Sequence, residues 1–353
     1  MNKFLRVLGL GLMVATFAFV GFAQTTQDEM TKLYNTYIEK YQSDKVTDLQ
    51  IALDAAKQYV AKFNTTDNEA QVTYFKEAIP TLEAAIKVKG ETKLATEEKD
   101  AWYAHLKNVV AANKSKNWEQ AFTLGKQAID KQFKYLDNGP LTTQTVKGQK
   151  LDIAIGLGAM GFDRAALDKN DTYNNDALNY LKSAIQQLES GQPSDTTTFG
   201  KAVGYDLENK ENALGLLNYY VGYIMYFRQK KEEEALSYFY KATQYNSAAK
   251  NFPAVYEKIG FKYYIKLAEL DPIRLAKIEA NNKEDNDETK AMLAEEKGVA
   301  DRGLEAYAKA IKMANAPDSK VSQQYKDELR ANFEQLYKFR YGNTDGLEIY
   351  LNN

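Results

Sequence analysis

Tyr219, Tyr223 and Tyr226 are followed, at one constant offset, by Tyr256, Gly260 and Tyr263, and Ala235, Phe239 and Ala242 stand between the two sets. This recurrence constrains the fold more than any other feature of the chain. Stacked helical hairpins require it. A bulky side chain fills each helix contact, and a small residue lets two backbones approach closely. A hairpin of this kind buries its apolar face only against its neighbours, so the hairpins are expected to follow one another along the chain. Proteins built this way hold other molecules on a preformed surface.

Helical spacing extends well beyond these residues. Leu49, Leu53, Ala56, Val60 and Phe63 fall at steps of three and four, as do Val72, Phe75, Ile79, Leu82 and Ile86. The same pattern predicts helices over about 30–41, 101–112, 118–136, 151–167 and 176–188. In the second half it predicts them over about 212–228, 232–245, 253–270, 292–313 and 322–341. Strand-like alternation is essentially absent, which predicts an all-α fold. Turn chemistry marks breaks at Asp137 to Pro140, Asn170 to Asn175, Ser190 to Thr198 and Asn281 to Thr289. Pro80 lies within a helical pattern, where it either kinks the helix or opens its next segment.

The first residues have the form of an export signal. Lys3 and Arg6 precede or flank an apolar run from Val7 to Phe22, and Gly21 and Ala23 supply small residues for cleavage after Ala23. That run, about 16 residues, is shorter than the ~18–20 that cross a bilayer comfortably. A cleaved leader and a periplasmic or secreted mature protein are therefore expected, with no integral membrane span in the mature chain. The chain has no cysteine. This excludes disulfides, thiolate metal sites, a cysteine nucleophile and lipidation at a leader cysteine. A hydrophobic content of 44% with 27% charged residues is that of a folded globular protein. The formal charge is −2 and no long basic run occurs, so the electrostatic attraction that drives nucleic-acid binding is missing.

Between residues 212 and 265 the chain resembles the tetratricopeptide repeat of exported bacterial proteins. In that family a bulky residue, an apolar–small pair and an aromatic mark the first helix. An alanine, a Phe or Tyr and a second alanine mark the next. Tyr256, Ile259, Gly260 and Tyr263 match the first helix, and Tyr226, Ala235, Phe239 and Ala242 match the close of one helix and the body of the next. Looser echoes occur at Ala121, Gly125 and Ala128, at Ala177, Leu181 and Ala184, and at Gly303, Tyr307 and Ala310. The chain departs from the pattern in three ways. Tyr223 occupies a small-residue position with Gly222 displaced by one, Ser247 stands where a proline is usual, and the unit opened by Tyr263 closes only at Gly303.

The resemblance implies a right-handed α-solenoid of antiparallel helical hairpins with degenerate repeats. It would form a single domain over 24–353, with a sub-boundary near 137–149 and an insertion at 270–298. It also implies a concave groove lined by first helices, with Tyr220, Phe227, Arg228, Glu257, Phe261 and Tyr264 facing it. The expected role is a non-catalytic scaffold, without cofactor or metal, for a protein or peptide partner in the cell envelope. An aromatic groove with one arginine suits a segment carrying apolar anchors and an acidic group. The alternative is a small-molecule or glycan-binding protein whose sugar rings stack on the tyrosines. The 270–298 insertion folding into the groove would close either site.

Three other patterns suggest chemistry and have plainer explanations. Gly156, Gly158 and Gly161 form G-x-G-x-x-G, which binds a pyrophosphate only within a strand–turn–helix unit. The following residues are helical in period, so these glycines are expected to serve close helix packing. His105, the single histidine, is spaced with Trp102, Leu106 and Val109 as the edge of a packed face. No G-x-S-x-G elbow accompanies it. Asp168, Asn170, Thr172, Asn174 and Asp176 alternate as calcium ligands would, but Tyr173 replaces the central glycine and Asn179 the terminal glutamate. A turn built on Asx side chains accounts for them equally well. The acidic run Glu232–Glu234 suits a helix N-terminus, and Glu284–Glu288 a solvated loop. The chain has 25 Tyr and 16 Phe, most of which are expected at helix–helix contacts, where a ring is buried and the hydroxyl reaches a polar partner.

Overall fold

The computed structural model describes residues 22–195 and 198–352. The predicted leader, residues 1–23, falls almost wholly outside them. Among the described residues there are twelve α-helices and no strand, so the chain is all-α as its periodicity predicts. No helix among them is long and apolar enough to cross a membrane.

The described residues divide into two compact units, those up to 98 with 134–140, and 99–133 with those from 141 on. The first contains α1 (Phe22–Lys40), α2 (Val46–Phe63) and the N-terminal part of α3 (Glu69–Lys114). Its core is aromatic at the centre. Phe75 is fully buried, with the rings of Tyr37 and Tyr59 at 5.0 and 4.6 Å. The 134–140 segment is held by Glu98, whose carboxylate accepts the backbone N–H groups of Lys134 and Tyr135 at 3.1 and 3.0 Å.

The helix boundaries correct two sequence expectations. The helices expected at 72–86 and 101–112 are one helix, and Pro80 lies inside it. The stretch between them carries no apolar stripe, and Ala95 is its one fully buried residue. Hydrophobic spacing therefore cannot register this stretch, although its Lys, Glu and Ala content favours helix. The helix expected to reach 136 instead ends at Asp130 as α4 (Trp118–Asp130), because Lys131 turns to an extended ψ of 127°.

The second unit continues with α5 (Thr143–Leu167), α6 (Asn174–Glu189), α7 (Lys210–Tyr223), α8 (Glu232–Gln244), α9 (Pro253–Ala280), α10 (Asp287–Ala314), α11 (Gln323–Tyr341) and α12 (Leu347–Asn352). α7 runs on through a single π-helical turn, 224–228, closed by the Gln229 N–H to the Ile224 carbonyl at 3.0 Å. α12 has six residues, too few for periodicity to reveal, and buries Leu347.

Successive helices pack against one another, and at four of these contacts a glycine lies beneath a bulky side chain. A Cβ on Gly158 of α5 would come within 2.6 Å of Leu181 on α6. One on Gly222 of α7 would come within 2.7 Å of the Phe239 ring on α8, and one on Gly260 of α9 within 2.8 Å of the Tyr307 ring on α10. Gly303 of α10 stands in the same relation to Leu336 of α11, at 2.8 Å. Thus Gly156, Gly158 and Gly161 lie inside one continuous helix, where they admit Val203, Leu181 and Ala177.

The 270–298 stretch lengthens α9 and α10 rather than forming a separate excursion. It pairs with itself. Arg274 Nε donates to Glu296 Oε2 at 2.7 Å, and Lys277 Nζ to Glu288 at 2.5 Å. Asn286 and Thr289 form a reciprocal capping box at the start of α10. Glu232–Glu234 occupy the first turn of α8, where the helix dipole favours them.

The segment after α6 is tied down on α5 by a buried carboxylate. Asp152 is fully buried, Ser194 Oγ donates to both of its oxygens at 2.8 and 2.7 Å, and the Gly200 N–H donates at 2.9 Å. One turn earlier, Gln149 accepts from the Trp102 indole and donates to Asp195 at 2.8 Å. Burial pushes the Asp152 pKa up to about 6, against the lowering effect of these hydrogen bonds. The folded state thus holds this proton more tightly than the unfolded chain does. This group's contribution to stability is fully present below its ordinary value of 3.8 and is lost as pH rises through about 6. The effect is roughly 3 kcal/mol at most, at 1.36 kcal/mol per pKa unit. Asp152→Asn is therefore expected to flatten the change of Tm between pH 4 and 7. An unchanged pH slope in that variant would show that Asp152 does not titrate in this range.

Candidate partner-binding face

The six residues predicted to face a groove lie in unit two, on α7 with its π turn and on α9. The structure distributes them among four neighbourhoods. Tyr220 joins an aromatic cluster with α5. Its ring stacks on Phe162 with centroids 4.1 Å apart, and Phe162 also meets Tyr219 at 5.8 Å and Tyr223 at 5.3 Å. Phe227 continues the cluster through Tyr223 at 4.8 Å. All of these rings are half-buried, and Phe162, Tyr219, Tyr220 and Phe227 pack on the core of the unit, so only part of each is open at the surface.

Arg228 points to the turn between α5 and α6. Its Nε and Nη2 donate to the two carboxylate oxygens of Asp171 at 2.7 and 2.8 Å, and Nη2 also reaches the Lys169 carbonyl at 2.9 Å. The paired guanidinium holds the Asp171 carboxyl below its ordinary pKa. The turn that supplies Asp171 is the one whose alternating oxygens resembled a calcium loop. Its side chains are engaged locally. Asn170 Oδ1 accepts the Thr172 N–H at 2.9 Å, Asn174 donates to Asp171 at 2.7 Å, and Asp168 pairs with Arg164.

Glu257 and Tyr264 are directed at α11. Tyr325 donates to Glu257 Oε2 at 3.1 Å, and Tyr264 donates to Gln335 at 2.5 Å. Burial and the Glu257 charge raise the Tyr325 pKa. The other Glu257 oxygen accepts from Lys258 at 2.5 Å, and the Lys258 ammonium lies 5.6 Å from the Tyr226 ring centroid and 5.4 Å from that of Phe227. Lys258 thereby links the π turn to α9. Phe261 lines a shallow groove of about 510 Å³ between the start of α8 and α9, with Tyr226, Leu236, Lys258 and Ile265.

No protein-family model matches the chain, and no curated protein or solved structure shows significant similarity to it. Its chemistry is therefore read from these contacts. The cations nearest the aromatic surface, Arg228 and Lys258, each already have a carboxylate partner. An acidic ligand would have to displace Asp171 to reach Arg228.

Sequence reasoning passed over Asp163 and Tyr205, which belong to the same surface. Tyr205 donates to Asp163 Oδ2 at 3.1 Å, and burial raises the Asp163 pKa. Asp163 follows the aromatic Phe162 within an amphipathic helix, where an acid reads as an ordinary solvated residue. His105 sits as expected at the edge of a packed face. Its Nε2–H donates to the Leu124 carbonyl at 2.7 Å, beside buried Trp102, Leu106 and Val109.

Proposed function

We propose that this chain is an exported, non-catalytic helical-repeat scaffold that binds a protein or peptide partner in the cell envelope. The observation that carries this reading is the repetition of one contact, a glycine beneath a bulky residue, in the pairs α5–α6, α7–α8 and α9–α10. Such repetition supports a tetratricopeptide-like solenoid, in which α5, α7, α9 and α11 present one continuous face. A face preformed by packing loses little ordering entropy when a partner docks. Phe162, Tyr219, Tyr220, Tyr223 and Phe227 supply the large, rigid, amphipathic area typical of interface anchors.

Affinity capture from an envelope fraction tests the reading. A specific partner should be retained by the wild-type chain. Phe227→Ala or Tyr264→Ala should weaken its binding by about tenfold or more, the scale of an aromatic hot spot. Oligosaccharides that change tyrosine fluorescence saturably, with no protein retained, would instead establish the glycan-binding alternative.

A further inference from the structure

We infer that the surface around Asp163 receives a basic side chain, lysine or arginine, from an extended peptide segment. This rests on the scaffold reading and specifies the chemistry of its partner.

The argument is one of charge complementarity. Asp163 is a partly buried carboxylate whose neighbours are aromatic. Phe162 is adjacent in sequence, Tyr205 donates to its Oδ2 at 3.1 Å, and Tyr220, stacked on Phe162, lies close enough for its hydroxyl to feel the Asp163 charge. The two arginines of this region pair with other acids. Arg164 pairs with Asp168 and lays its guanidinium 3.9 Å from the Trp118 ring centroid, while Arg228 is held by both oxygens of Asp171. Among the described residues, Asp163 has no ion pair. Arg164 lowers its pKa and Asp168 raises it, but desolvation exceeds both and holds it above the ordinary value.

A carboxylate desolvated by burial and without a direct ion pair is incompletely satisfied. An incoming lysine or arginine would supply the missing charge while its aliphatic stem covers Tyr220 and Phe162, and its cationic head would also be attracted to ring faces. The same carboxylate repels an acidic segment.

Fluorescein-labelled Leu-Arg-Leu-Arg-Leu and its glutamate counterpart are suitable probes, titrated by anisotropy against the mature chain at low salt. The arginine peptide should bind and the glutamate peptide should not. Asp163→Asn should weaken arginine-peptide binding about tenfold. Tyr220→Leu should weaken it as well, whereas Asp318→Asn, an exposed acid on the α10–α11 connection, should leave it unchanged. Wild-type binding should also fall as Asp163 is protonated at acid pH, and the Asp163→Asn variant should lose that dependence. Asparagine still accepts from Tyr205 and carries no buried charge, so the variant should keep or exceed the wild-type Tm, which separates lost binding from lost folding. Equal affinity of Asp163→Asn and Asp318→Asn, or equal binding of the glutamate probe, would overturn the inference. A captured envelope protein that needs Phe227 and Tyr264 but tolerates Asp163→Asn would also overturn it and leave the scaffold reading standing.

Discussion

Arg274→Met is expected to destabilise the α9–α10 hairpin by about 3–5 kcal/mol, the range for stranding a buried charge. Glu296 is the reason. Its side chain is 1% exposed, Arg274 Nε donates to one of its oxygens at 2.7 Å, and the other oxygen has no hydrogen-bond partner. Arg274 is itself shared with Asp271, so removing it leaves an uncompensated carboxylate inside the hairpin and a second one beside it. Urea denaturation followed by helical circular dichroism reads the loss. The double variant Arg274→Met with Glu296→Leu should recover most of it, because well-packed apolar residues often replace a buried ion pair without loss. A double variant as unstable as Arg274→Met alone would show that packing around the arginine stem, rather than charge, carries the effect.

Phe239→Ala is expected to destabilise the second unit by about 3–5 kcal/mol, the usual range for emptying a buried phenylalanine site. The ring is 1% exposed and lies against Gly222, with the Tyr219 and Tyr226 rings at 6.2 and 6.0 Å. From the other side of the same contact, Gly222→Ala would drive a methyl to 2.7 Å from this ring, and overpacking of that kind costs about 1–3 kcal/mol. The two changes share one contact and should not add. Gly222→Ala combined with Phe239→Leu should be more stable than the sum of the separate losses. Strict additivity in denaturation midpoints would mean that glycine and ring do not pack against each other, and the hairpin contact on which the repeat reading depends would fail with it.

The aromatic cluster and the ion pairs differ in how far they could be read beforehand. Phe239, Gly222, Gly260 and Tyr307 were legible because a helix contact needs bulk and closeness at set spacings, and spacing is a property of the chain. The helicity of 151–161 was legible for the same reason, despite three glycines that imitate a phosphate loop. Asp163, Asp171 and Glu296 were not legible. A carboxylate on an amphipathic helix looks the same whether it meets water, a guanidinium or a tyrosine. The destination of Arg228 was hidden in the same way, since Asp171 lies in a different hairpin.

Composition and periodicity were thus sufficient for an all-α chain without cysteine chemistry, with paired helices and small residues at their contacts, because those properties follow from local spacing and from burial averaged over a helix face. The joining of 69–114 into one helix, the extension of α9 and α10 across 270–298, and the pairing of each charge arose from packing. There the free energy depends on which groups come within a few ångströms of one another, and residues distant in sequence determine that distance.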